Sequence, residues 1–164
     1  MTFTVKHLFD VLAAATLVFG MGMSAAQADD DEMPKSKVNN PKWLAECGAC
    51  HLAFPSRFLP AESWREVMSG LDKHFGSDAS LDDESVREIT AFLVDNARRK
   101  KTSLTASGKW PLRITETRWF RREHAEAASR VKNNPRVKSM ANCAICHTQA
   151  DIGDYSERNI QIPK

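Results

Sequence analysis

Two stretches of the sequence carry reactive side chains at one fixed spacing: "CGACH" groups Cys47, Cys50 and His51, and "CAICH" repeats the frame with Cys143, Cys146 and His147. They hold all four cysteines of the 164-residue chain. A disulfide between cysteines so close in sequence would close too small a loop to stabilise much. A thiol redox pair calls for a preceding strand in a βαβ setting, and no such pattern precedes either motif. A four-cysteine zinc site brings its pairs together across about 15 to 20 residues, whereas these pairs lie more than 90 apart. The histidine directly behind each pair decides the matter. Cys-x-x-Cys-His is the attachment signature of c-type haem: both thiols bond to the porphyrin edge and the adjacent imidazole becomes an axial ligand of the iron. Two copies point to two covalent haems, with His51 and His147 as the proximal ligands.

Such chemistry belongs outside the cytoplasm, and the N-terminus agrees. Residues 1–28 read as a signal peptide: Lys6 precedes an apolar run of about 13 residues, too short for a spanning helix of about 20, and Ala26-Gln27-Ala28 fits the small-x-small cleavage rule. The mature chain would begin at Asp29 in the periplasm with no membrane anchor, and residues 29–40, acidic and poor in apolar side chains, read as a disordered N-terminus. With 23 Lys and Arg against 21 Asp and Glu, the charge is near neutral, which argues against nucleic acid or a general polybasic membrane surface as partner.

Five histidines occur in all. His7 goes with the signal peptide and two belong to the motifs, so His74 and His124 remain for the second axial positions. His74 closes a helical pattern, opened at Pro60 and Ala61 and stopped at Gly76, whose apolar side carries Trp64, Val67, Met68 and Leu71. The plainer alternative is a core-edge histidine near a helix C-terminus. Met68, on the same face, competes as sixth ligand. His124 interrupts the apolar face of a helix expected over 115–132, capped by Thr115 and ended by Asn133, Asn134 and Pro135, with Phe120, Ala127 and Ala128 beside it. A solvent-edge histidine is the alternative there, and Met140 the competing ligand.

A third helix, capped by Ser80, carries Val86, Ile89, Phe92 and Leu93 on its buried side and ends near the basic residues Arg98, Arg99, Lys100 and Lys101. The expected fold is all-α, as two small haem-binding units. The first, residues 41–97, is like a c-type cytochrome. The second, residues 110–164, is short, with one main helix and irregular segments. Residues 98–109 form a polar, basic linker. The halves are no simple duplication, because the candidate distal histidine follows its motif in the first and precedes it in the second. The arginines at 118, 121 and 122 read chiefly as a solvated face, and the four tryptophans as haem-packing and core residues.

The segments "ECGACHLAFPSRFLPAESWREVMSGLDKHFGSDASLD" and "RITETRWFRREHAEA", with "ANCAICH" further on, resemble the dihaem cytochrome c family first described in purple phototrophic bacteria. The likeness covers nearly the whole mature chain. It implies a periplasmic electron carrier with two bis-histidine haems of low potential, serving a small oxygen-binding monohaem cytochrome c, often beside a membrane cytochrome b. Carried onto this chain, it gives Cys47, Cys50, His51 and His74 for one haem and Cys143, Cys146, His147 and His124 for the other. The distal histidines could still be exchanged between haems. Imidazole on both faces leaves no site for substrate, and replacing methionine by imidazole lowers the potential. The expected role is therefore outer-sphere electron transfer rather than catalysis. The rival reading is a dihaem peroxidase, a haem reductase or a gas-binding protein, which needs one open or displaceable axial site.

Overall fold

Asn40 starts the first helix by accepting a hydrogen bond from the Trp43 amide at 2.8 Å, with Pro41 in the first turn where its missing N–H costs nothing. In the computed structural model, which describes residues 40–99 and 102–164, this is α1 (Pro41–Gly48). It presents Trp43 inward and brings Cys47 into its last turn. The described residues fall in one compact unit. The expected signal peptide, nearly all of the expected disordered N-terminus, and Lys100 and Lys101 fall outside the described residues.

Helix α2 (Ala61–Ser69) follows Pro60 and ends at Gly70, six residues before the stop expected at Gly76. Glycine is the poorest helix former short of proline, and here it lets the chain tighten into a 3-10 turn, Leu71–Lys73, with His74 just beyond it. His74 is therefore held by a turn, not by the helix. The chain reverses at Phe75 (φ +51°) and Gly76 (φ +101°), and the Ala79 N–H donates to the Leu71 carbonyl at 2.9 Å. A phenylalanine in the left-handed region is strained, and such residues cluster at functional sites.

Helix α3 (Asp83–Asp95) is capped by Asp82, not Ser80: the Asp82 carboxylate accepts from the Glu84 and Ser85 amides, both at 3.0 Å, and from the Ser85 hydroxyl at 2.7 Å. These bonds, those from Ser85 first, hold its carboxyl below the ordinary value of 3.8. Ile89 and Leu93 are fully buried, each stabilising by about 1.5–3 kcal/mol over exposure. They pack with Trp43, Phe58, Leu59, Trp64 and Met68 into the core between α1, α2 and α3. Lys42 and Asn40 both reach Glu88, at 2.7 and 3.2 Å, fastening α1 to α3. The indole N–H of Trp64 donates to the Ser56 carbonyl, which fixes the 3-10 turn Ser56–Phe58 downstream of the first motif.

The helix expected over 115–132 is two helices. A 3-10 turn, Ile114–Glu116, leads to Thr117, whose buried hydroxyl donates to the Ile114 carbonyl at 2.7 Å and accepts from the Phe120 amide at 3.3 Å. Thr117 rather than Thr115 is the cap. Then α4 (Arg118–Glu123) and α5 (Ala125–Val131) meet at His124, whose φ of −105° and ψ of 7° break the regular helix. The remainder is a string of 3-10 turns, Cys143–Ile145, Ala150–Ile152 and Glu157–Asn159. Backbone bonds from Gln161 to Cys146 (2.8 Å) and from Thr148 to Asn159 (3.2 Å) hold the second motif against the C-terminal strip. Only isolated bridges, and no strand, occur among the described residues, so the fold is all-α.

Phe58 joins the two halves. Its ring centroid lies 5.7 Å from that of Trp119 and 4.9 Å from that of Tyr155, and its carbonyl accepts from the Trp119 indole at 3.4 Å. Arg98, at the head of the segment expected to be a linker, donates its N–H to the Leu59 carbonyl at 2.9 Å and lays its guanidinium 5.2 Å from the Trp119 ring centre.

Candidate haem sites

At the first site, the end of α1 gives Cys47, half-buried, and the turn after it gives Cys50 and His51, both exposed. His51 Nδ1 lies 2.8 Å from its neighbour's carbonyl, at Leu52. That bond favours a proton on Nδ1 and leaves Nε2 available to a metal. Facing it is His74, with ring centres 6.2 Å apart and planes inclined by only 19°. Phe54 stacks on His51 at 5.0 Å, and Phe75 stands edge-on to His74 at 4.8 Å under the guanidinium of Arg113. The four rings make an open ladder. Its Phe75 end is 45% exposed, so solvent and other molecules reach this site from outside.

The second site is enclosed. His124 sits at the α4/α5 break, where its Nδ1 lies 3.0 Å from the Phe120 carbonyl, leaving Nε2 available here too. Its ring stacks on Phe120 at 3.9 Å. His147 faces it at 6.1 Å with planes inclined by 60°. Contacts continue from His147 to Tyr155 (5.2 Å), on through Phe58 to Trp119, and from Trp119 to Phe120 (6.0 Å). With Tyr155, Phe58, Trp119 and Phe120, the pair thus closes a circuit of six aromatic rings.

Each separation has the size of one metal ion. A metal–imidazole nitrogen bond is about 2.0–2.1 Å and the nitrogen lies about 1.1 Å from the ring centre, so two imidazoles on opposite faces of one ion have centres about 6.3 Å apart. Two nitrogens alone cannot hold it. Among the described residues no group of three or more His, Cys, Asp or Glu is placed to bind a bare ion. A porphyrin supplies four more nitrogens, and all four cysteines are free to anchor it.

The electrostatics favour ligation over thiol chemistry. Burial lowers the imidazole pKa of His74, His124 and His147; His51 and Arg113 lower His74 further, and His124 lowers His147. Each is thereby kept in the neutral form that binds metal. Burial pushes the Cys47 and Cys143 thiols up to about 11 and raises Cys146 as well. A redox-active Cys-x-x-Cys pair needs the opposite shift.

His51 and His74 come together, as do His147 and His124, each pair within its own half of the sequence. The competing methionines are used otherwise: Met68 is buried in the core and Met140 packs partly buried against it. Sequence reasoning overlooked Phe54, Arg57, Phe58, Phe75 and Tyr155. Tyr155 is the chain's single tyrosine, and no spacing ties it to the motif eight residues earlier.

Residues 43–155 match the dihaem cytochrome c family. The chain belongs to that family. Among solved structures, a dihaem c-type cytochrome of Shewanella baltica is similar at 37% identity and a TM-score of 0.64, over 76% of this chain and 93% of that one. Two structures of the dihaem cytochrome c of Rhodobacter sphaeroides are similar at 42% identity and TM-scores of 0.58 and 0.62, each over 72% of this chain and 98% of that one. No curated protein matches the chain. As a dihaem cytochrome c it is an electron-transfer protein with two c-type haems, covalently attached through its cysteines. No helix among the described residues is long and apolar enough to cross a membrane.

Proposed function

We propose that this dihaem cytochrome c carries electrons at low potential by outer-sphere transfer, each haem being held between two histidines: His51 with His74, and His147 with His124. The observation that carries the reading is the pair of ring separations, 6.2 and 6.1 Å, between imidazoles whose Nε2 atoms are the available ligands in at least one partner of each pair. When bound, the haems supply the one-electron ferric–ferrous couple. The chain's own residues do the rest. The four cysteines would hold the macrocycles by thioether bonds, and the four imidazoles would take the remaining iron positions, which would deny oxygen, peroxide or nitrite a coordination site. The packed rings at the second site would limit reorganisation when charge changes. Imidazole in place of methionine keeps both potentials low.

The same reading places the mature protein in the periplasm, released by cleavage after Ala28, with a small oxygen-binding monohaem cytochrome c as partner and a membrane cytochrome b as neighbour. The open ladder at His51 and Phe75 is the side from which a partner can approach closely.

The test is ligand removal. His124→Ala should keep two covalent haems yet leave the Cys143/Cys146 haem with an exchangeable position that binds carbon monoxide when reduced. His74→Ala should do the same at the Cys47/Cys50 haem. If His124→Ala still shows two low-spin haems inert to carbon monoxide, His124 is no ligand; if it opens the other haem, the pairs are crossed.

A further inference from the structure

Two half-buried polar side chains at the seam between the halves, Arg57 and Tyr155, turn unpartnered atoms inward. The Nε and Nη2 atoms of Arg57 and the hydroxyl of Tyr155 are buried and make no hydrogen bond. A guanidinium edge buried without an acceptor is costly, and such an edge calls for an anion. Arg57 stands in the turn Ser56–Phe58, six residues after His51, yet the region it faces belongs to the second site: the adjacent Phe58 ring packs on Tyr155, and Tyr155 packs on His147. Burial lowers the Arg57 pKa while nearby Tyr155 opposes the shift, and no carboxylate among the described residues forms an ion pair with it. Tyr155 in turn is held in its protonated form by burial above all, so its hydroxyl is a donor.

The identity of the two empty nitrogens is informative. Nε and Nη2 form the side-on edge of a guanidinium, the edge that donates two parallel N–H bonds to one carboxylate. A c-type haem brings two propionate carboxylates with it. We infer that Arg57 and Tyr155 together receive a propionate of the haem attached at Cys143 and Cys146, Arg57 through its side-on edge and Tyr155 through its hydroxyl. A residue of the first haem segment then sets the charge beside the second haem. The cation offsets the propionate, so losing it favours the ferric state and lowers that haem's potential.

The experiment is a redox titration of the intact dihaem protein and of R57Q, Y155F and R158Q, the last an exposed arginine on the same strip as Tyr155. The haems are followed separately by low-spin ferric EPR signals, which their different histidine inclinations distinguish, and the propionate bending bands by resonance Raman. In R57Q both haems should remain, and the second-haem reduction equilibrium should fall about tenfold, equivalent to about 59 mV for one electron. The first should move by less than half as much, and R158Q should leave both within about threefold of the unmutated protein. The second-haem propionate band should shift in R57Q and in Y155F. Equal shifts at both haems, a shift at the first alone, or unmoved propionate bands would overturn the inference. Should R57Q fail to mature, near-isosteric Y155F decides alone: an unmoved midpoint and band overturn it. The inference uses the proposed His124/His147 ligation only to tell the irons apart. A high-spin second haem in the unmutated protein would refute that ligation, and the Raman bands would still test Arg57.

Discussion

The inclination of the paired imidazoles, 19° at the first site and 60° at the second, has a direct electronic meaning once an iron joins each pair. Nearly parallel rings direct their π systems along one axis and split the two iron dπ orbitals; crossed rings leave those orbitals nearly equal in energy. The oxidised protein should therefore give two distinct low-spin EPR signals, a rhombic one from the His51/His74 haem and a strongly axial one with a larger maximum g value from the His147/His124 haem. Two superposable rhombic signals would contradict the geometry. At this scale the sequence was most legible where covalent chemistry dictates spacing, since two thiols and an imidazole must meet one macrocycle and so lie within five residues. His74 and His124 could be singled out because each interrupts an apolar pattern. Arg57 and Tyr155 gave no such sign: their role depends on neighbours brought together by folding.

Among the elements, the break between α4 and α5 that presents His124 matters most. Thr117, a residue only 1% exposed, caps α4 with a hydroxyl that makes two hydrogen bonds, seven residues ahead of His124. Thr117→Ala should destabilise the protein by about 1–2 kcal/mol in chemical denaturation, with Thr117→Ser recovering most of it. It should broaden the second-site EPR signal and leave the first unchanged; equal broadening of both would show that the cap does not act through His124. Element existence was readable from apolar periodicity, and boundaries were not. Residues 115–132 carry an unbroken helical pattern, yet both the Nδ1 atom and the main-chain N–H of His124 are drawn to one carbonyl, that of Phe120, and the helix bends there. Likewise a glycine inside a periodic run, Gly70, ended α2 where Gly76 looked the stronger stop.

Over the whole molecule, the contacts joining the halves connect residues 61 positions apart, Phe58 and Trp119, and more distant ones through Tyr155. Local patterns cannot report such pairings, which is why the sequence suggested two units around a basic linker and was silent about Phe58. One feature did lie in plain view in the numbering. His51 and His74 are 23 positions apart, and so are His124 and His147, with the order of motif and distal residue reversed. Under the proposed ligation each iron, bonded to both members of its pair, would be a cross-link closing a loop of that length. In polymer terms the two bridges have equal span, do not overlap along the chain and together restrain roughly a third of the described residues. By the chain-entropy relation used for disulfides, a loop of this length narrows the denatured ensemble by about 3–4 kcal/mol. His74→Ala and His124→Ala should accordingly cost similar amounts of denaturation free energy although one site is open and the other enclosed. Free imidazole added to either variant should restore its low-spin spectrum without returning the full unfolding midpoint, because a ligand that is not part of the chain fills the iron's sixth position and ties nothing together.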